Sequence, residues 1–316
     1  MSLQDRIARV SLCAALLVTA CAPAAQTPEI ERPAASAPDA EAPEDVRNEV
    51  VAPTADERLQ QLEERAASLR QQHGDDGFTF VVEPPFVVGG DEDADTVRGR
   101  AEGTVGWAVR MLNESYFERD PKHVIVVWLF KDKTSYRKHC RAFWNEDPHT
   151  PYGYYSPSDR VLVMNIASGS GTLVHEIVHP FMESNFAACP SWFNEGLASL
   201  YEQSYSRDGK IMGATNWRLR GLQGAIRADR VPSFKELCGT TTREFYNEDP
   251  GTNYSQARYL CYYLQEKKLL RKYYHQFVKD SKKDPTGYKT LMSILKTEDM
   301  DQFKKDWQKY VTRLRY

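Results

Sequence analysis

Apolar positions change period several times along the first half of the chain. From Thr54 to Gln72 the residues are mostly polar, with Leu59, Leu62, Ala66 and Leu69 on one stripe, the spacing of an amphipathic helix. Phe78 to Val88 is rich in Val and Phe but is broken by Pro84-Pro85. It predicts an edge strand or two short strands, because proline cannot donate to a ladder. Asp93 to Phe117 returns to helical spacing. His123 to Phe130 is a short apolar run that predicts a buried strand, and Lys133 to Trp144 is helical again. Tyr152 to Tyr155 and Arg160 to Asn165 flank Ser156-Pro157-Ser158-Asp159, a turn sequence that predicts a hairpin.

Beyond Ser170 the pattern is helical almost to the end, with helices predicted over 171–185, 191–205, 215–228, 253–267, 271–280, 286–296 and 299–313. No internal repeat is present. Strands mixed with helices first, then a run of helices, predict an α+β fold: a small N-terminal mixed sheet with helices over 56–150, then a mostly helical part over 151–316.

The first 55 residues have a different texture. Met1 to Arg9 is short and basic, and Val10 to Ala20 is apolar but too brief to span a bilayer, the layout of a bacterial secretory signal over 1–20. Its ending, Val18-Thr19-Ala20-Cys21, resembles a lipobox, which would make Cys21 the acylated first residue of an envelope lipoprotein. An ordinary signal peptide containing a cysteine is the alternative. Residues 21–55 are rich in Ala, Pro and Glu and poor in large apolar side chains, so they predict a disordered tether. The 316 residues, 41% hydrophobic and 27% charged, suffice for a full core. A net charge of −3 without a basic stripe argues against a nucleic-acid partner. Cys140, Cys189, Cys238 and Cys261 could form two disulfides in an oxidising compartment, with three possible pairings, or remain buried thiols; none has CxxC spacing.

The chemistry concentrates in Thr172-Leu-Val-His175-Glu176-Ile-Val-His179, an HExxH motif in an apolar helical context. Four residues are just over one turn, so His175 and His179 project from one face and can share a cation. Zn²⁺ accepts imidazole nitrogens at about 2.0–2.1 Å, and such a pair supplies two of its corners. Glu176 sits about 100° around the helix, beside the metal, where it can take a proton from water rather than ligate. Pro180 removes a backbone donor just after His179 and predicts a bend or tightening there. A Gly three residues after His179 and a His six after would mark a metzincin; Met182 and Asn185 occupy those positions.

After a turn at Cys189-Pro190 comes Trp192-Phe193-Asn194-Glu195-Gly196-Leu197-Ala198, with fifteen residues between His179 and Glu195. This segment resembles the glutamate-bearing helix of gluzincin peptidases, both aminopeptidase N relatives and bacterial peptidase-MA-like domains, at slightly shorter spacing than in the aminopeptidases. The resemblance spans about Tyr152 to Leu264 and is specific over 172–202. It implies a zincin-like fold with Zn²⁺ between its two parts, held by His175, His179 and Glu195, and Glu176 as general base. Glu202, seven residues after Glu195 and on the same helix face, would hydrogen-bond a ligand imidazole, or else be a solvated surface group. Asn253-Tyr254-Ser-Gln-Ala looks like the start of the tyrosine-bearing helix of the same relatives, so Tyr254 would steady the oxyanion. Arg160–Asn165 would be the sheet edge along which a peptide or protein substrate is added as a strand. That strand lacks the glutamate of the aminopeptidase GxMEN segment, which argues against an aminopeptidase and leaves an endopeptidase, the favoured reading, or a different exopeptidase. The expected activity is zinc-dependent peptide hydrolysis by a protein lipid-anchored in the envelope, at the outer membrane facing the periplasm. A non-catalytic envelope scaffold and a zinc hydrolase of cell-wall amides are the alternatives.

Overall fold

The computed structural model describes residues 53–316. The predicted signal peptide, the lipid site Cys21 and nearly all of the tether lie outside the described residues. Thr54 and Glu57 close a capping box that starts α1 (Ala55–His73), which buries Leu62, Ala66 and Leu69. Leu59, expected on the same stripe, is exposed.

The Val/Phe segment forms two short strands, β1 (Thr79–Glu83) and β2 (Phe86–Gly90), turning at Pro84-Pro85. The predicted 93–117 helix is α2 (Ala94–Arg100) and α3 (Trp107–Ser115), joined by a π-helical stretch over 101–106. Next come β3 (Ile125–Phe130), α4 (Lys133–Trp144), β4 (Gly153–Ser156) and β5 (Val161–Asn165). These strands make one mixed sheet in the order β1-β2-β3-β5-β4, antiparallel at both ends and parallel between β2, β3 and β5.

That order corrects one expectation. Residues 160–165 were expected at the sheet edge, but β5 is an interior strand, buried throughout between β3 and β4. The edge strands are β1 and, on this side, β4. Alternation along the strands divides the core in two. Val87, Val126, Trp128, Phe130 and Val163 face α1 and α4, while Phe86, Val88, Val127, Leu129 and Leu162 face α3 and the helices that follow.

The helical part opens with α5 (Ser170–Asn185), which runs through Pro180 to Asn185, and α6 (Ser191–Leu200). The helix expected over 191–205 stops at Leu200 because the buried Arg258 guanidinium takes the carbonyls of Ser199 and Leu200. A hairpin of β6 (Ser204–Arg207) and β7 (Lys210–Gly213) follows instead, turning through Asp208-Gly209, both at positive φ. Then come α7 (Arg218–Arg227), α8 (Phe234–Gly239), α9 (Thr242–Asn247) and α10 (Pro250–Glu266). The chain closes with α11 (Leu270–Asp280), α12 (Tyr288–Leu295) and α13 (Met300–Arg313). The short α8 and α9 were not expected, although each begins with a capping box, Ser233/Glu236 and Thr241/Glu244.

Two close approaches fix the site's frame. A Cβ at Gly171 would collide with the Glu202 carbonyl oxygen, so the start of α5 rests directly on the turn after α6. A Cβ at Gly196 would lie 3.1 Å from the Ala257 backbone, which brings α10 hard against α6. All four cysteines of the described part are free, and Cys140, Cys238 and Cys261 are buried, so the free-thiol alternative holds. No described helix is long and apolar enough to cross a membrane.

Candidate metal centre

α5 and α6 bring His175, His179 and Glu195 together in a buried cluster able to hold a metal ion, one ligand atom of each lying within 4.8 Å of the others. His175 Nε2 is 3.2 Å from Glu195 Oε2, and His179 Nε2 is 3.9 Å from Glu195 Oε1. Glu195 Oε2 is buried yet makes no hydrogen bond. A carboxylate oxygen buried there without a hydrogen bond is costly unless a cation, the protonated His175 imidazole or a metal ion, meets it.

The imidazoles are held from behind. His179 Nδ1 is 3.1 Å from Asn194 Oδ1, a contact that places the proton on Nδ1 and leaves the Nε2 lone pair facing Glu195. His175 Nδ1 is 3.5 Å from Glu202 Oε1, just beyond a made hydrogen bond. Glu202 is itself fixed by Arg218, whose Nε and Nη2 donate to the two carboxylate oxygens at 2.9 and 2.7 Å, and by Asn216 Nδ2 at 2.9 Å. Glu202 therefore sits behind a ligand imidazole as expected, but from the turn after α6 and not from the helix face.

The charges respond to this packing. Burial alone would push the Glu195 carboxyl up, but the His179 and His175 imidazoles outweigh it and hold it down at about 2. Burial would likewise lower His175, yet Glu195 and Glu202 raise it well above the ordinary imidazole value. For Glu202, burial is overcome by Arg218 and His175, which hold it at about 2. Each shift says that this pocket attracts positive charge. Glu176 behaves differently: burial raises its carboxyl, against smaller opposing pulls from both imidazoles and the Tyr155 backbone amide. Its Oε2 lies 3.9 Å from His179 Nε2.

The cluster lines a cleft of about 1200 Å³. β4 supplies Tyr154 and Tyr155 to its lining, and the helical part supplies Trp217, Arg218, Tyr246 and Tyr254. Tyr254 lies in the first turns of α10, with the Arg218 guanidinium 5.1 Å over its ring and Phe245 packed beside it. Tyr246 was not expected. Its hydroxyl donates to Glu195 Oε1 at 2.6 Å, across 51 residues, from the unexpected helix α9. Asn194 was not expected to act either; its place immediately before the candidate ligand Glu195 was the available signal.

The chain matches no protein-family model and no curated protein.

Proposed function

We propose that the protein is a zinc-dependent peptidase of zincin-like fold, the metal lying between the sheet part and the helical part. The observation that carries this reading is the convergence of two imidazoles and one carboxylate on the floor of a cleft, beside a buried carboxylate and a free strand edge. Two donors on a tetrahedral zinc at about 2.0–2.1 Å would lie about 3.4 Å apart. The observed 3.2 and 3.9 Å bracket that spacing. Two nitrogens and one oxygen also leave one corner for solvent, the arrangement of catalytic zinc sites.

Zinc held there would act as a Lewis acid toward a water and a substrate carbonyl. The remaining roles belong to the chain. Glu176 is buried with a raised pKa, which suits it to hold a proton taken from water and pass it to the leaving amine. The β4 edge can pair with an extended peptide through backbone groups alone. The Tyr254 hydroxyl can donate toward the carbonyl oxygen as charge builds on it. An acyl anchor on Cys21, proposed from the Val-Thr-Ala-Cys run, would hold the enzyme in the envelope.

The test is metal content and cleavage of a peptide library by the purified full chain, with and without chelator. About one zinc per chain and chelator-sensitive cleavage are expected. Glu176→Gln should keep the metal while turnover falls by roughly 10²–10⁴, and Glu195→Gln should weaken metal binding instead. The reverse pattern in these two variants sinks the assignment. Cys21→Ser should release the chain from membranes, and an unlipidated N-terminal peptide would exclude the anchor.

A further inference from the structure

One carboxylate in the cleft has no part in the proposed chemistry. Glu183 lies on α5, one helical turn beyond His179, and lines the same cleft. Its Oε2 accepts a 2.9 Å hydrogen bond from the Tyr155 hydroxyl, which reaches it from the edge strand β4. Glu183 is exposed, and among the described residues no Lys, Arg or His comes within ion-pair distance of it. The other cleft carboxylates are all matched. Glu202 is paired with Arg218 at 2.7 Å, and Glu195 and Glu176 face the two imidazoles. With a dication on the ligand set, its two charges and Arg218 balance Glu176, Glu195 and Glu202. Glu183 is the surplus negative charge.

Its position also fits an extended substrate. The four residues from His179 to Glu183 rise about 6 Å along α5, close to the roughly 7 Å between same-face side chains of a strand. A peptide paired with β4 and with its scissile bond beside His179 would thus carry a neighbouring substituent past Glu183. Tyr155, on β4 itself, keeps the carboxylate turned toward that strand.

We infer that Glu183 selects substrates carrying an ammonium or guanidinium group close to the scissile bond. This rests on the peptidase reading of the same cleft. The cation can be a Lys or Arg side chain or a free N-terminal amine, and peptides offered both free and N-acetylated separate these sources.

The experiment compares wild type with Glu183→Gln on matched basic and neutral peptides, with zinc content as a control for the fold. For basic peptides kcat/KM should fall roughly ten- to a hundredfold in the variant, the size of one charge-assisted hydrogen bond, while neutral peptides are unaffected. Glu183→Lys should reverse the preference toward acidic peptides. If the α-amine is the group recognised, acetylation should reproduce the loss in wild type and have no effect in Glu183→Gln. A second arm does not need turnover: fluorescence titration of metal-loaded Glu176→Gln protein with a dibasic peptide amide, with and without Glu183→Gln. A Kd raised at least about tenfold by the second substitution is expected. Cleavage without basic preference, or an equal effect of Glu183→Gln on basic and neutral peptides, overturns the inference and leaves the peptidase reading standing. Glu183-dependent binding without any cleavage overturns the peptidase reading and leaves the inference standing. Neither cleavage nor Glu183-dependent binding overturns both.

Discussion

His139 and His175 are buried to nearly the same degree, 9% and 8% exposed, in the packing on opposite sides of the same sheet. Their surroundings have nothing else in common. His139, on α4, stacks on Phe130 with ring centroids 5.3 Å apart and meets the edge of Phe78 at 4.9 Å. Burial lowers its pKa, with Lys138 adding to the effect. His175, on α5, meets Glu195 and Glu202, and these carboxylates overturn the effect of burial and raise it. A buried histidine is thus not in itself a ligand. On the α1/α4 side the ring is one more aromatic body in an apolar cluster; on the α5/α6 side buried carboxylates of opposite charge make the same ring part of a candidate cation site.

The largest expected effect tests that contrast directly. His175→Ala should leave less than about a tenth of a metal equivalent after reconstitution and no measurable turnover, because three protein donors are what such sites require. His139→Leu should keep full metal content and turnover, and change stability by about 0.5–3 kcal/mol, the ordinary cost of a core substitution. Metal analysis and denaturant unfolding of both variants decide it, and metal loss in His139→Leu would erase the distinction.

A smaller effect is expected at Tyr254, on the charged side. Tyr254→Phe deletes only the hydroxyl, so metal content and folding should hold while kcat falls by roughly 10²–10³ with KM little changed. Steady-state kinetics would read this. Unaltered kcat would return Tyr254 to packing against Phe245 and Arg218, and make Tyr246, already hydrogen-bonded to Glu195, the next residue to substitute.

The smallest effect is in the pH dependence of the metal-free protein, where the two histidines have opposite signs. His139, lowered from 6.5, contributes stability that is complete above that value and is lost as pH falls through its folded pKa. His175, raised above 6.5, contributes stability that is complete below that value and is lost as pH rises through its folded pKa. Urea midpoints should therefore show His139→Leu flattening the acid limb and His175→Ala flattening the alkaline limb. Zinc should abolish the second effect, since it replaces the proton on the imidazole.

The same contrast explains what could be read in advance. The HExxH histidines and Glu176 follow from local helical geometry, and an i, i+4 pair shares a face wherever the helix goes. Glu195 followed from a second local segment. What escaped depends on contacts far apart in sequence. Arg258 ends α6 by reaching the carbonyls of Ser199 and Leu200, and no reading of 191–205 alone could find it. The interior place of β5 follows from its parallel pairing with β3, a long-range choice that a hairpin pattern leaves open. Other omissions were legible: Asp208-Gly209 is a strong hairpin signal, and the Ser233/Glu236 and Thr241/Glu244 boxes announce α8 and α9.

The placement of β4 also bears on solubility. A sheet that ends in an uncovered strand offers a template on which copies of a protein can stack into aggregates. β4 limits that hazard in two ways: it spans only Gly153–Ser156, and it forms part of a cleft wall instead of standing proud of the surface. A strand so short offers few backbone groups on which a second copy of the protein could stack.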